Sequence, residues 1–530
     1  MRRLLVVSAL LFAVIVSPAG AAVAHRQGAG QRAAAPTLRA DFNNDGAEDL
    51  AIGAPGETVG AIDSAGAVIV LYGSAGGGLA GPGSQLFTQD TPGVGSTAEV
   101  VDFFGETLAS GDFNDDGFTD LAVGAPNEAV GASEGAGAVN VLFGSAGGLS
   151  GTGSQLFTEG NTGGLGLSNP FDRFGAALAA GDFDDDGADD LAIGVPEASG
   201  VGFIFVLGGS AGGLVNTDQF FSQDTPGVGS GPEPGDAFGE TLAVGDFNNS
   251  GTEDLAVGVP FEDVGAVPEA GAVNVLYGRP VTGLTGSNSQ IFTQDTPGVG
   301  STAEEFDVFG QALAGGDFNA DDADDLAIGA PGEAVGAVQG AGAVNVLYGS
   351  TSRLSGTGSQ IFTQDTAGVG SSAEPFDAFG EALAVGDFNN SGTEDLAVGT
   401  PFEAVGAAQG AGAVNVLYGR PVTGLTGSNS QIFTQDTPGV GSTAEEFDVF
   451  GLALAGGDFN ADDADDLAIG APGEAVGAVP VAGAVNVLPG STSRLSGTGS
   501  QLFIQDTPGV PSASEEFDAF GQALDATRPD

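Results

Sequence analysis

The chain has 530 residues, of which 70 are acidic and 11 basic; every basic residue is Arg and there is no cysteine. A formal charge of -59 excludes nucleic acid and anionic membrane surfaces as partners, because both would repel it. Without Cys or Lys and with one histidine, His25, neither disulfide staples, a usual zinc site nor a Ser/His/Asp or Cys/His arrangement can be assembled.

The chain opens with Arg2 and Arg3, an apolar run from Leu4 to Val16 and the small-residue pattern Ala22-Val23-Ala24. Residues 1–24 therefore read as a secretory signal peptide, with a run too short for a bilayer span. No later stretch is long and apolar enough to cross. Residues 25–37 read as a flexible linker and 38–530 as one domain. The protein is expected to be a monomer, secreted or at the cell surface.

From Asp41 onward an acidic loop recurs seven times at intervals of 64 to 71 residues, each copy followed at once by Leu-Ala-Ile/Val-Gly. Oxygen-bearing side chains occupy positions 1, 3, 5 and 9, and position 7 offers its backbone carbonyl. The first loop is Asp41, Asn43, Asp45, Ala47 and Asp49; the second is Asp112, Asn114, Asp116, Phe118 and Asp120; the third is Asp182, Asp184, Asp186, Ala188 and Asp190. The fourth is Asp246, Asn248, Ser250, Thr252 and Asp254; the fifth is Asp317, Asn319, Asp321, Ala323 and Asp325. The sixth is Asp387, Asn389, Ser391, Thr393 and Asp395; the seventh is Asp458, Asn460, Asp462, Ala464 and Asp466. Alternate oxygens on a tight loop are what a hard cation such as calcium needs. An EF-hand is excluded, since its twelfth residue must be Glu between helices, and here Val123 stands there in a strand pattern.

Up to seven calcium ions are expected, in sites of unequal quality. The first three loops have full ligand sets and a turn glycine at position 6: Gly46, Gly117 and Gly187. Loops four and six carry the weaker donors Ser250 and Ser391. Loops five and seven put Asp322 and Asp463 where a positive φ is wanted, which costs more than glycine would. The first three sites should bind most tightly. These side chains use 20 of the 70 acidic residues, so most of the acidity lies elsewhere; a solvating surface suited to high salt is one reading, a plain acidic secreted protein the other.

Each period also holds four short apolar stretches bounded by turn residues, as in 311–314, 326–328, 343–348 and 360–363. Four strands in each of seven repeats predict an all-β, seven-bladed propeller. The termini supply the argument for a closed ring. Six loops are preceded by Asp-x-Phe-Gly, beginning at Asp102, Asp172, Asp236, Asp307, Asp377 and Asp448, while the first has Gln31 at that place. A seventh copy, Asp518-Ala519-Phe520-Gly521, is stranded near the end. If the C-terminal strand completes the first blade, both leftovers are used; a truncated array is the alternative. A Glu sixteen residues after the loop start also recurs (Glu57, Glu128, Glu262, Glu333, Glu403, Glu474), with Glu197 one place early in the third repeat. Recurrence in each blade favours a structural role over catalysis. The third repeat, 64 residues with Gly202-Phe203-Ile204-Phe205, is the irregular one.

Phe309-Gly310, the loop from Asp317 to Asp325 and Gly329-Ala330-Pro331 together resemble the FG-GAP repeat, the family of the integrin α-subunit β-propeller. The resemblance runs from about Leu38 to Leu524. Gly-Ala-Pro is intact at Gly53, Gly124, Gly329 and Gly470 and becomes Gly-Val-Pro at Gly194 and Gly258 and Gly-Thr-Pro at Gly399. The resemblance implies calcium loops on one face, recognition of an extracellular protein or glycan on the other, and adhesion or ligand binding instead of catalysis. A polysaccharide-binding or polysaccharide-cleaving propeller, using a carboxylate pair, is the alternative.

Overall fold

The computed structural model describes residues 40–162 and 168–526. The expected signal peptide and linker, with Gln31 and Leu38, lie outside the described residues. Seven four-stranded antiparallel sheets follow one another. The fifth, built from Ala312–Gly316, Asp325–Ala330, Ala343–Tyr348 and Ser355–Phe362, is representative. Its two middle strands are buried on both faces, because each blade is packed between two others. That is why they read as continuous runs such as Ala-Val-Asn-Val-Leu-Tyr and not as alternating ones. The outermost strand, Ser355–Phe362, is largely polar and partly exposed, as a solvent-facing edge requires.

The ring closes. Ala523–Asp525 is the innermost strand of the first blade and pairs antiparallel with Leu50–Ala54. Seven hydrophobic clusters lie between successive blades, and one joins Leu50, Ile52 and Ile69 of the first to Phe459, Ala468 and Val485 of the seventh. The Phe of every Phe-Gly pair, from Phe104 to Phe520, is fully buried. A buried ring of this kind stabilises by about 3–5 kcal/mol against alanine.

The two glycine signatures meet. Gly521 N–H donates to Gly53 O at 3.0 Å within the first blade, and a Cβ on Gly53 would sit 2.1 Å from Gly105 O of the second. No side chain fits there, so the Gly of Gly-Ala-Pro and the Gly of Phe-Gly are set by close backbone approach between neighbouring blades. The variable middle residue of Gly-Ala/Val/Thr-Pro is a buried strand end, where these side chains fit.

Candidate metal centre

Six of the acidic loops join the innermost strand of a blade to the second, and the ninth residue begins that strand, at Asp120, Asp190, Asp254, Asp325, Asp395 and Asp466; the first loop leads into Leu50–Ala54, whose innermost partner comes from the other end of the chain. Position 1 organises the turn. Its carboxylate accepts the N–H groups of positions 5 and 6, in the second loop Asp116 and Gly117 onto Asp112 at 3.1 and 2.9 Å. Asp41, Asp182, Asp246, Asp317, Asp387 and Asp458 repeat this. Position 9 ties the loop to the sheet: one oxygen of Asp120 accepts Gly144 N–H at 2.8 Å and the other Phe113 N–H at 3.1 Å. The position-2 phenylalanines, Phe42, Phe113, Phe183, Phe247, Phe318, Phe388 and Phe459, are fully buried anchors.

The structure thus brings positions 1, 3 and 9 together in each loop. In six loops position 3 is Asn, and its Nδ2 donates to the position-9 carboxylate, for example Asn114 to Asp120 at 2.9 Å and Asn248 to Asp254 at 2.6 Å. The third loop has Asp184 instead. Asp182, Asp184 and Asp190 place carboxylate oxygens within 4.8 Å of one another, and Asp184 Oδ1 is buried without a hydrogen-bond partner. Burial, then repulsion by Asp186 and Asp182, holds Asp184 above the usual carboxylate range. Burial also pushes Asp190 to about 7, Asp120 to about 8 and Asp49 to about 9. Crowded, dehydrated oxygens with an orphan among them fit a divalent cation, which would restore the ionised state.

Other loops fit less well, for visible reasons. Ser250 Oγ donates to Thr252 O at 3.2 Å and Ser391 Oγ to Thr393 O at 3.3 Å, so the side chain at position 5 occupies the carbonyl at position 7. In loops five and seven Asp322 and Asp463 take φ +70°, the strained conformation their position implied. The backbone also turns left-handed at position 4, which the sequence reading did not anticipate. Asn44, Asp115, Asp185, Asn249 and Asn390 tolerate it, but loops five and seven have Ala320 and Ala461 there, at φ +57° and +54°. Alanine in this region costs roughly 1–2 kcal/mol.

Position 8 was also missed. It is acidic in six loops (Glu48, Asp189, Glu253, Asp324, Glu394, Asp465), with Thr119 in the second, and that recurrence was the available signal. Five of these carboxylates accept the N–H of position 1 in the preceding blade: Asp112 to Asp189, Asp246 to Asp324 and Asp387 to Asp465 at 2.7 Å, Asp458 to Glu48 at 2.8 Å, Asp317 to Glu394 at 2.9 Å. Neighbouring loops are therefore coupled, including across the closure.

The second carboxylate set forms pairs between blades. Gln223 Nε2 donates to Glu262 at 2.6 Å and to Asp236 at 3.0 Å. Gln89 with Asp102 and Glu128, and Gln505 with Asp518 and Glu57 across the closure, form the same trio, as do those at Glu333, Glu403 and Glu474. Burial first, then the neighbouring Asp, pushes Glu57 to about 7 and Glu128, Glu262, Glu333, Glu403 and Glu474 to about 8. In the third repeat Glu197 does not join the set. Its one-residue shift places it exposed before the 3-10 turn Ala198–Gly200. Glu159, at the place of the usual Gln, faces Asp172 instead and restores one Glu and one Asp.

With this geometry in hand, the chain can be set beside known proteins. The FG-GAP repeat family model matches residues 37–71, 104–142, 174–207, 238–276, 309–347, 379–417 and 450–488. Among relatives, phosphatidylinositol-glycan-specific phospholipase D of Bos taurus is 34% identical over 171 residues, 31% of this chain and 19% of that protein. Integrin alpha pat-2 of Caenorhabditis briggsae is 31% identical over 268 residues, 48% of this chain and 19% of the relative. Integrin alpha-5 of Xenopus laevis is 31% identical over 242 residues, 44% and 20% respectively. The matches thus span about a fifth of these relatives' length. A solved Bacillus licheniformis rhamnogalacturonan lyase is similar at 12% identity and TM-score 0.34, covering 74% of this chain and 69% of that one.

Proposed function

Since the chain belongs to the FG-GAP repeat proteins, we propose that it is a secreted, calcium-binding propeller that acts outside the cell as an adhesion or ligand-binding module. The observation that carries this is the third loop, where three carboxylates converge and one oxygen has no partner. Six further loops share its backbone wrapping.

In this reading positions 1, 3, 5 and 9 and the carbonyl of position 7 hold each ion, and calcium supplies the positive charge that the crowded oxygens lack. The chain's own residues do the rest. Position 1 fixes the turn through two N–H groups, position 9 fixes the loop to its sheet, and position 8 passes the restraint to the next blade. Occupied loops would therefore stiffen one whole face and leave the opposite loops to present a constant surface to a protein or glycan. No residue of the repeated sets is assigned to catalysis, because each recurs around the ring. Among the described residues no helix is long and apolar enough to cross a membrane.

The test is thermal unfolding with and without a chelator. At 100-fold excess over Kd, each site contributes about 2.7 kcal/mol, so chelation should lower the midpoint steeply; an unchanged midpoint would overturn the calcium reading.

A further inference from the structure

The residue immediately before Asp-x-Phe-Gly lies on the face opposite the acidic loops: Phe306 precedes and Asp317 follows the innermost strand Ala312–Gly316. From the second blade to the seventh this residue is Val101, Phe171, Gly235, Phe306, Phe376 and Phe447, and Phe517 serves the first. Phe376 is 71% exposed, Phe171 64%, Phe306 53% and Phe447 37%. Phe306, Phe376 and Phe447 stand on the consecutive blades five, six and seven, and exposed aromatic side chains in such an arc mark an interaction surface.

The backbone sharpens that reading. Val101 and the five Phe residues at this place are left-handed, with φ between +63° and +75°. Their N–H groups reach back to the preceding blade, Phe171 to Glu134 O at 2.9 Å, Phe376 to Gln339 O at 3.1 Å and Phe447 to Gln409 O at 3.0 Å. Glycine suits this conformation best, and blade four has it in Gly235, φ +103°. The other six blades keep Val or Phe, strained by the backbone and, at five of them, exposed. The turn beneath offsets this only in part: a Cβ on Gly135, Gly340 or Gly410 would come within 3.0 Å of ring Cδ1 of Phe171, Phe376 or Phe447. Each of these rings is thus seated on a glycine of the preceding blade and presents the rest of its surface to solvent. Strain retained at an exposed side chain is the mark of a surface kept for contact.

Charge decides what fits the arc. Glu304 and Glu305 stand before Phe306, Glu374 before Phe376, and Glu445 and Glu446 before Phe447, all exposed. None of the stretches 301–310, 371–380 and 442–451 holds a basic residue. A second copy of the chain and an anionic bilayer both meet like charge here. A guanidinium instead stacks on an aromatic face while its edge donates to carboxylates, and the chain itself seats Arg353 over Tyr277 and Arg494 over Tyr418, each at 4.4 Å. We propose that the arc of Phe306, Phe376 and Phe447 binds an extended, arginine-bearing segment of a partner protein, its guanidinium groups lying on the rings and donating to the adjacent glutamates. This rests on the ligand-binding reading above and names the class of partner; it uses no residue of the acidic loops.

The test is calorimetric titration of the full chain with nona-arginine, nona-lysine and a neutral dextran oligosaccharide, in saturating calcium. Sodium chloride at about 0.3 M screens diffuse attraction to the acidic surface. Nona-arginine is expected to bind, more tightly than nona-lysine, whose ammonium groups offer no stacking plane, and dextran not to bind. The Phe306→Gly/Phe376→Gly/Phe447→Gly variant leaves the charge unchanged and introduces the residue that blade four already has. It should keep the unfolding midpoint and weaken nona-arginine binding about tenfold or more. Should it fail to fold, Phe376→Gly alone decides, with a loss of about threefold. No uptake of nona-arginine, equally tight binding of nona-lysine, or binding unchanged by the glycine variants overturns the proposal. Dextran uptake that the glycine variant loses also overturns it, but leaves the ligand-binding reading standing. The chelator-dependent midpoint, read in the same samples, reports separately on calcium.

Discussion

The loops and the blade junctions are two sevenfold sets of buried carboxylates drawn from the same residue types, and they meet the cost of burying charge in opposite ways. In the loops, backbone N–H groups wrap the outside of each set; in the third this leaves oxygens facing oxygens at Asp182, Asp184 and Asp190, and in the other six a single Asn amide donates to the position-9 carboxylate alone. At six of the junctions a Gln amide enters the set and donates to the acids, as Gln223 does to Glu262 and Asp236. The first arrangement wants a cation; the second holds a proton between its acids. The comparison teaches that carboxylate count does not identify a metal site, and that the donors supplied beside the carboxylates do.

The largest test of that distinction is removal of calcium. With unfolding entropy near 2.1 cal/mol/K per residue, about 2.7 kcal/mol per site corresponds to roughly 2–3 °C for each occupied loop. Stripping seven loops should thus lower the midpoint by well over 10 °C in a calorimetric scan. The junctions should not respond to calcium and should respond to pH. Their Glu residues are raised to about 7 or 8 from an ordinary 4.5, so the folded ring holds protons that the unfolded chain has released. The stability this contributes is complete below pH 4.5 and is lost as pH rises through 7 and 8. At saturating calcium the midpoint should fall by several degrees between pH 6.5 and 9, and Glu128→Gln should make the fall shallower. A flat profile would break the comparison from the junction side.

Smaller effects sharpen the ranking within the loops. Asp184→Asn gives the third loop the Asn of the other six and should weaken that site alone, about tenfold, in a calcium titration, for a loss near 1.4 kcal/mol. Ala320→Gly removes a strained left-handed alanine and should stabilise the calcium-free protein by about 1 kcal/mol, measured in denaturant. If it destabilises instead, position 4 is not where the fifth loop loses quality.

Much of this was legible before the structure. The period gave the blades, and the stranded Asp518-Ala519-Phe520-Gly521 together with the bare first loop gave the closure that the pairing of Ala523–Asp525 with Leu50–Ala54 realises. The loops were legible because alternation of oxygens along a turn is written in consecutive residues. What could not be read was anything that depends on two blades at once. The reach of Glu48 to Asp458 spans 410 residues, the trio Gln505, Asp518 and Glu57 spans the closure, and the replacement of Glu197 by Glu159 is visible only when both sides of a junction are seen. The left-handed turn at position 4 is invisible where Asn or Asp stands, and becomes informative only at Ala320 and Ala461, where the residue does not suit it.

The loops are proposed here as cation sites of graded strength. Calorimetric titration of chelator-stripped protein with calcium tests this most directly. Seven equivalents are predicted, three of them tighter than the rest, with the tightest weakened about tenfold by Asp184→Asn. Seven equal sites would contradict the grading, and an absence of calcium uptake would contradict the claim itself.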